Sequence, residues 1–222
     1  MEVRKVDKIW MKNWPTGVPV EIQYHKGLKP ICDYLRLHAQ ENPQRIAINY
    51  YGMEISYSQL DQLTNRFASF LENQGATKGD RIALYMQNCP QYIVCQLGAH
   101  KAGLIVVPCG PMFRAWELEE ELTQTDTKII VCQDELYPNV KEADEKCHFN
   151  QIIVTGFADF LPSEPAFPLH ESMTIPRVHH VETLELLDIL ENGDPGYVSP
   201  EISMDDVCLL QFTSGTTGLP KG

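Results

Sequence analysis

The sequence predicts an α/β protein built on a mainly parallel sheet with helices packed over it. Short β-prone apolar runs alternate with stretches of helical apolar periodicity, one helix between successive strands, which is the pattern of parallel strands joined by crossovers. The 222 residues are 43% hydrophobic and 22% charged, a balance able to bury a core.

The elements follow in order. Over 30–40, Ile31, Tyr34, Leu35 and Ala39 recur at helical spacing and Asn42-Pro43 stops the run, so a short helix is expected. The β-prone runs 46–51 and 55–57 flank Gly52 and predict a hairpin. Ser58 stands as an N-cap with Asp61 three residues on, and Leu60, Leu63, Phe67, Ala68 and Leu71 trace one apolar face as far as Gly75. After Lys78-Gly79-Asp80, residues 82–86 read as a buried strand; Pro90 opens a helix that Gly103 closes, and 104–107 gives the next strand. The alternation continues with a helix at 116–123, a strand at 129–132, a helix at 137–146 and a strand at 151–154. Pro162, Pro165, Pro168 and Pro176 mark an irregular connection, 182–191 resumes helical periodicity, 193–200 is a Pro/Gly-rich loop, and 207–212 reads as a last strand.

That last strand runs into Thr213-Ser214-Gly215-Thr216-Thr217-Gly218-Leu219-Pro220-Lys221-Gly222, a segment with four hydroxyl side chains, three glycines and a lysine. Glycines let backbone N–H groups converge on an anion, hydroxyls add donors, and the lysine adds positive charge, so a polyphosphate is the natural guest. A P-loop of the G-x4-G-K-[ST] kind is disfavoured, because only two residues separate Gly215 from Gly218 and Lys221 comes three after the second glycine.

The segment instead resembles, letter by letter, the signature of the adenylate-forming (AMP-binding) superfamily, which includes acyl-CoA synthetases, firefly luciferase and the adenylation domains of peptide synthetases. Weaker features of that family stand upstream in the same order: Ile55-Ser56-Tyr57-Ser58-Gln59-Leu60, Gly79-Asp80-Arg81-Ile82-Ala83-Leu84, and Ala102-Gly103-Leu104-Ile105-Val106-Val107-Pro108. Trp14-Pro15-Thr16-Gly17-Val18-Pro19 looks like the entry segment of fatty-acyl-CoA ligases, which tilts the expected substrate toward a fatty acid.

The resemblance implies the N-terminal portion of the adenylate-forming fold and an ATP-dependent ligase that activates a carboxylic acid as acyl-adenylate and passes it to CoA. It makes Thr213, Ser214, Gly215, Thr216, Thr217, Gly218 and Lys221 the contacts to the ATP phosphates, with Mg²⁺ sharing their charge, and leaves Leu219 and Pro220 to shape the loop. It assigns no catalytic residue and no metal ligand within these residues. The family's magnesium-linked Glu, ribose-binding Asp, hinge and C-terminal domain with its lysine would all follow the loop. The expected organisation is therefore a leader at 1–29 and a partial AMP-binding domain at 30–222, truncated at the phosphate loop and inactive alone. An adenylation module that loads a carrier protein, and a non-catalytic nucleotide-binding remnant, are the alternatives.

Composition narrows the partners. Eighteen Lys and Arg against thirty Asp and Glu give a net charge of −12, which repels a nucleic-acid backbone, and no basic patch offsets it. The stretch 93–109 is interrupted by Gln96, His100 and Lys101, so no membrane span is expected; peripheral membrane contact stays open. The start does not read as a signal peptide. Seven cysteines without a CxxC pair read as reduced core thiols of a cytoplasmic protein, and Cys147-His148 and His179-His180 lack the second pair a zinc site needs. Glu117, Glu119, Glu120 and Glu121 read as a solvated helix face, Trp116 as packing, and His25, His38 and His100 as structural or exposed.

Overall fold

A computed structural model describes residues 8–213 and 222. Helix α1 (Ile31–Glu41) precedes a hairpin of β1 (Ile46–Tyr50) and β2 (Met53–Ser56), which pair antiparallel. Helix α2 (Tyr57–Asn73) then leads into the parallel sheet: β3 (Arg81–Tyr85), α3 (Pro90–Lys101), β4 (Ile105–Cys109), α4 (Ala115–Gln124), β5 (Ile129–Gln133), α5 (Tyr137–Cys147) and β6 (Gln151–Thr155). A two-residue strand β7 (Leu184–Glu185) and helix α6 (Leu186–Asn192) follow the proline-rich connection. The order across the sheet is β4-β3-β5-β6-β7, and every pairing in it is parallel. The predicted α/β architecture is therefore present.

Three local expectations need correction. The cap of α2 is Ser56, not Ser58: its hydroxyl accepts from Gln59 N while Gln59 Oε1 accepts from Ser56 N at 2.8 Å, a reciprocal capping box that the sequence carries as Ser-x-x-Gln two residues earlier. Within 182–191, Leu184 and Glu185 pair with Ile153 and Val154 as a sheet-edge strand, so the helix begins only at Leu186. Two residues are too few to show a period of two, so the helical periodicity hid them.

The third correction concerns α4, whose acidic residues are not a plain solvated face. Glu117 Oε2 caps Arg114 N at 2.8 Å, Glu119 pairs with Lys146 on α5, and Glu121 is only 3% exposed with Oε2 lacking a hydrogen-bond partner. Trp116, expected to pack, is 63% exposed.

The sheet is buried on both faces, as a parallel sheet must be. Period-two alternation divides it: Ile82 and Leu84 point to one face with Val106, Val131 and Ile153, under α2, α3 and α6; Ala83 and Tyr85 point to the other with Val107, Ile130, Cys132 and Val154, under α4 and α5. Helices α2 and α3 cross so closely that a Cβ on Gly98 would lie 2.9 Å from both Phe67 Cδ1 and the Thr64 carbonyl oxygen, so glycine is required there. At the end of α3, the ammonium of Lys101 is fully buried and donates to Asp61 Oδ1 and Asn65 Oδ1 at 2.6 Å each and to Asp61 O at 3.1 Å, all on α2. Burial lowers the Lys101 pKa, and Asp61 opposes that shift.

Two outcomes follow. Asp61→Ala strands the Lys101 charge in the interior and should cost about 3–5 kcal/mol; an unchanged urea midpoint would contradict the role given to this pair. Glu121 has its pKa raised to about 7, first by burial and then by Glu117, so the folded state keeps a proton that the unfolded chain releases at the ordinary carboxylate value. Its contribution is thus unfavourable once ionised: stability declines as pH rises from the ordinary carboxylate value through about 7 and is level above it. Glu121→Gln should abolish that slope and raise the melting temperature above neutral pH by roughly 2–4 °C, which scanning calorimetry across pH will register.

Candidate functional site

The segment expected to bind phosphate is delivered by residues 207–213, which run beside the outer edge of β4. Val106 N donates to Cys208 O at 3.0 Å and Leu210 N donates to Val106 O at 2.9 Å, one parallel bridge centred on Val106 and Leu209. The predicted strand at 207–212 is thus reduced to a bridge. Successive outward-facing donors on an edge strand are two residues apart, and the next after Val106 is Pro108, which has no N–H, so the ladder cannot continue.

Beyond the bridge, Phe212 turns inward and is buried in the core under α4 and α5, while Thr213 is exposed. This places the start of the loop at the carboxyl ends of the parallel strands, where open α/β sheets bind their ligands. The chain comes back to the same point: a Cβ on Gly222 would lie 2.9 Å from Phe212 Cζ and 3.0 Å from Cε2. Phe212 is therefore the floor on which both ends of the loop stand. Of the residues assigned to the phosphates, Thr213 is placed; Ser214, Gly215, Thr216, Thr217, Gly218 and Lys221 lie outside the described residues.

The adjoining strand ends are pinned by polar contacts that the sequence reading missed. The Tyr85 hydroxyl donates to Phe113 O and accepts from Asn139 Nδ2 at 3.0 Å, tying the ends of β3, the turn before α4 and helix α5 together. Burial raises the Tyr85 pKa, so it stays a phenol and keeps its donor. After β5, Gln133 Oε1 accepts from Gln87 N at 3.1 Å, joining the ends of β5 and β3. Phe212 and Pro108 were visible as letters, but their roles appear only once the segment is seen beside β4.

Among the described residues no group of three or more His, Cys, Asp or Glu side chains could hold a metal ion. Among the same residues no helix is long and apolar enough to cross a membrane. A cleft of about 530 Å³ is lined by Ile55, Leu63, Arg66, Phe160 and Leu190 among others.

A parallel sheet with helices on both faces defines an α/β class of fold, and the segment that leads to the glycine- and hydroxyl-rich sequence runs beside its β4 edge. The AMP-binding enzyme family matches residues 35–222, and the chain belongs to that family. It is 30% identical over 230 residues to a long-chain-fatty-acid–CoA ligase of Bacillus subtilis, covering 97% of this chain and 39% of that relative. It is 30% identical over 171 residues to a crotonobetaine/carnitine–CoA ligase of Salmonella agona, covering 76% of this chain and 30% of the relative. Among solved structures, the N-terminal domain of FACL13 from Mycobacterium tuberculosis superposes with a TM-score of 0.69 at 26% identity, over 88% of this chain and 44% of that one. The chain thus spans well under half the length of these proteins.

Phe212→Ala should cost about 3–5 kcal/mol through the lost ring and the cavity it leaves, and should expose 207–213 to limited proteolysis. A variant with unaltered stability and cleavage pattern would remove Phe212 as the anchor of the loop.

Proposed function

We propose that this chain supplies the phosphate grip of an ATP-dependent acyl-CoA ligase that activates a carboxylic acid, a fatty acid by preference, as acyl-adenylate and transfers it to CoA. Membership of the AMP-binding family supports this reading, as do the names borne by its relatives. The observation that supports it is the segment leading to Thr213, bridged to Val106 and anchored by the buried Phe212, with Gly222 approaching the same ring. Within this reading residues 1–29 form a leader and 30–222 part of the AMP-binding domain, the remaining machinery lying in sequence of the kind the longer relatives carry.

The chemistry assigned to these residues is electrostatic. The substrate carboxylate attacks the α-phosphorus of ATP, and negative charge builds on the departing pyrophosphate. The backbone N–H groups of Gly215 and Gly218, the hydroxyls of Thr213, Ser214, Thr216 and Thr217, and the ammonium of Lys221 hold that charge in fixed positions, so that little reorganisation is needed as it develops. Mg²⁺, when bound with ATP, neutralises part of the same charge. Thr213 fits the role: it is exposed, at the mouth of the loop, on a segment fixed by the Val106 bridge and the Phe212 anchor. A cytoplasmic location goes with this function and with seven cysteines that are all unpaired.

The test is carboxylate-dependent exchange of labelled pyrophosphate into ATP, run on the protein carrying this chain with short, medium and long fatty acids. Lys221→Ala should lower exchange by roughly 10- to 100-fold, the equivalent of one charge-assisted contact. Full exchange by that variant would remove Lys221 from the grip, and absence of exchange from the unmodified protein with every acid would overturn the ligase reading.

A further inference from the structure

Residues 201–208 approach the Val106 bridge with little apolar support. Met204, Val207 and Leu209 are 49%, 56% and 39% exposed, and the bridge itself is two backbone hydrogen bonds. Lys78, in the turn between α2 and β3, reaches this stretch from the body of the fold. Its ammonium donates to Glu201 O at 2.9 Å and pairs with Asp206 Oδ2 at 2.6 Å. Asp206 Oδ2 also accepts from Ser203 N at 2.6 Å, so the carboxylate closes the 203–206 turn and grips Lys78 with the same oxygen. The bond from Lys78 holds the Asp206 carboxyl below its ordinary pKa, and Ser203 N lowers it further. The turn that carries Lys78 is itself firmly set: Asp80 Oδ2 accepts from Thr77 N at 2.7 Å, Gly79 N donates to Gly103 O at 2.9 Å, and Ile105 N donates to Asp80 O at 2.8 Å, which ties the turn to the start of β4. The Lys78 stem crosses Gly103, where a Cβ would lie 2.9 Å from Lys78 Cγ and 3.2 Å from Ile202 Cδ1.

We propose that Lys78 is a positioning residue for nucleotide binding: by holding Glu201 O and Asp206 it fixes residues 201–213 in register beside β4, and so sets where Thr213 and the phosphate contacts after it begin. The role rests on the ligase reading for what those contacts hold. Lys78 touches no substrate in it and acts only through the segment. From Asp206 the chain takes two residues to reach Cys208, whose carbonyl accepts the Val106 bond, and four more to reach the buried ring of Phe212, so a displacement at Asp206 has few residues over which to be absorbed. With side chains 40% and 31% exposed, the Lys78–Asp206 pair contributes little to overall stability. Its effect lies in the share of molecules whose segment is in place, and nucleotide at high concentration draws the remainder back.

The test is the ATP dependence of pyrophosphate exchange by the protein carrying this chain, with amide exchange at Val106 and Leu210 followed in the absence of nucleotide. Lys78→Met keeps the stem over Gly103 and removes the charge. It should raise KM for ATP roughly fivefold through the loss of a charge-assisted contact, with kcat at saturating ATP within about twofold of the unmodified protein. The Val106 and Leu210 amides should exchange faster by at least the same factor. Partial unfolding would instead lower kcat and leave KM, because the molecules still folded would bind as before. Lys78→Arg should restore KM, and Asp206→Asn added to Lys78→Met should change it no further. An unchanged KM, a loss confined to kcat, or unaltered exchange at both amides in Lys78→Met would each overturn the proposal. If the unmodified protein exchanges no pyrophosphate with any acid, the ligase reading falls by itself, and the two amides still decide whether Lys78 holds the segment.

Discussion

The ammonium of Lys101 is the most demanding group in this fold. It is fully buried and tolerable only because Asp61 and Asn65 on α2 reach it at 2.6 Å. That requirement fixes the rotation and height of α3 against α2, and Gly98 then allows the two backbones to close to contact at Thr64 and Phe67. Once this seam is set, α3 can lie on β3 and β4 only one way. The rest of the first core, down to α6, stacks on the same surface.

Among the described residues the opposite face has no comparable buried ion pair. Its core is made by strand residues of the other parity and by α4 and α5, and it also holds the ring of Phe212 from the segment beside β4. The candidate site therefore depends on both faces. The α2–α3 seam positions β4, the edge of β4 offers Val106 as the last usable rung, Pro108 ends the ladder, and Phe212 carries the chain over the strand ends. The Val106–Leu209 bridge and the buried ring of Phe212 fix the segment that leads to Thr213, and Gly222 approaches the same ring.

Much of this was readable from the residues. The alternation of strand and helix, the hairpin around Gly52 and the loop composition rest on periods and turn chemistry that are local, and they stand apart from small boundary shifts. What escaped was non-local. Lys101 looks in sequence like an interruption of an apolar run, and Asp61 like part of a helix cap; only their meeting across two helices reveals an internal ion pair. Glu121 shares an acidic cluster with three neighbours of the same letter, and its burial follows from which side of α4 meets the sheet. Within the candidate site the sequence supplied the proposed phosphate donors by resemblance. It did not supply Phe212 or Pro108 as the parts that position them, because anchoring and ladder termination are properties of a neighbouring strand.

The central claim is that residues 213–222 form a polyphosphate grip held at the carboxyl edge of the sheet. Hydrogen–deuterium exchange with and without Mg²⁺ and ATP addresses it directly. Slowed amide exchange on nucleotide addition that includes 213–222, with the α2–α3 seam unchanged, is the result this account predicts. Protection centred on another part of the chain, with 213–222 exchanging as fast as before, would contradict it.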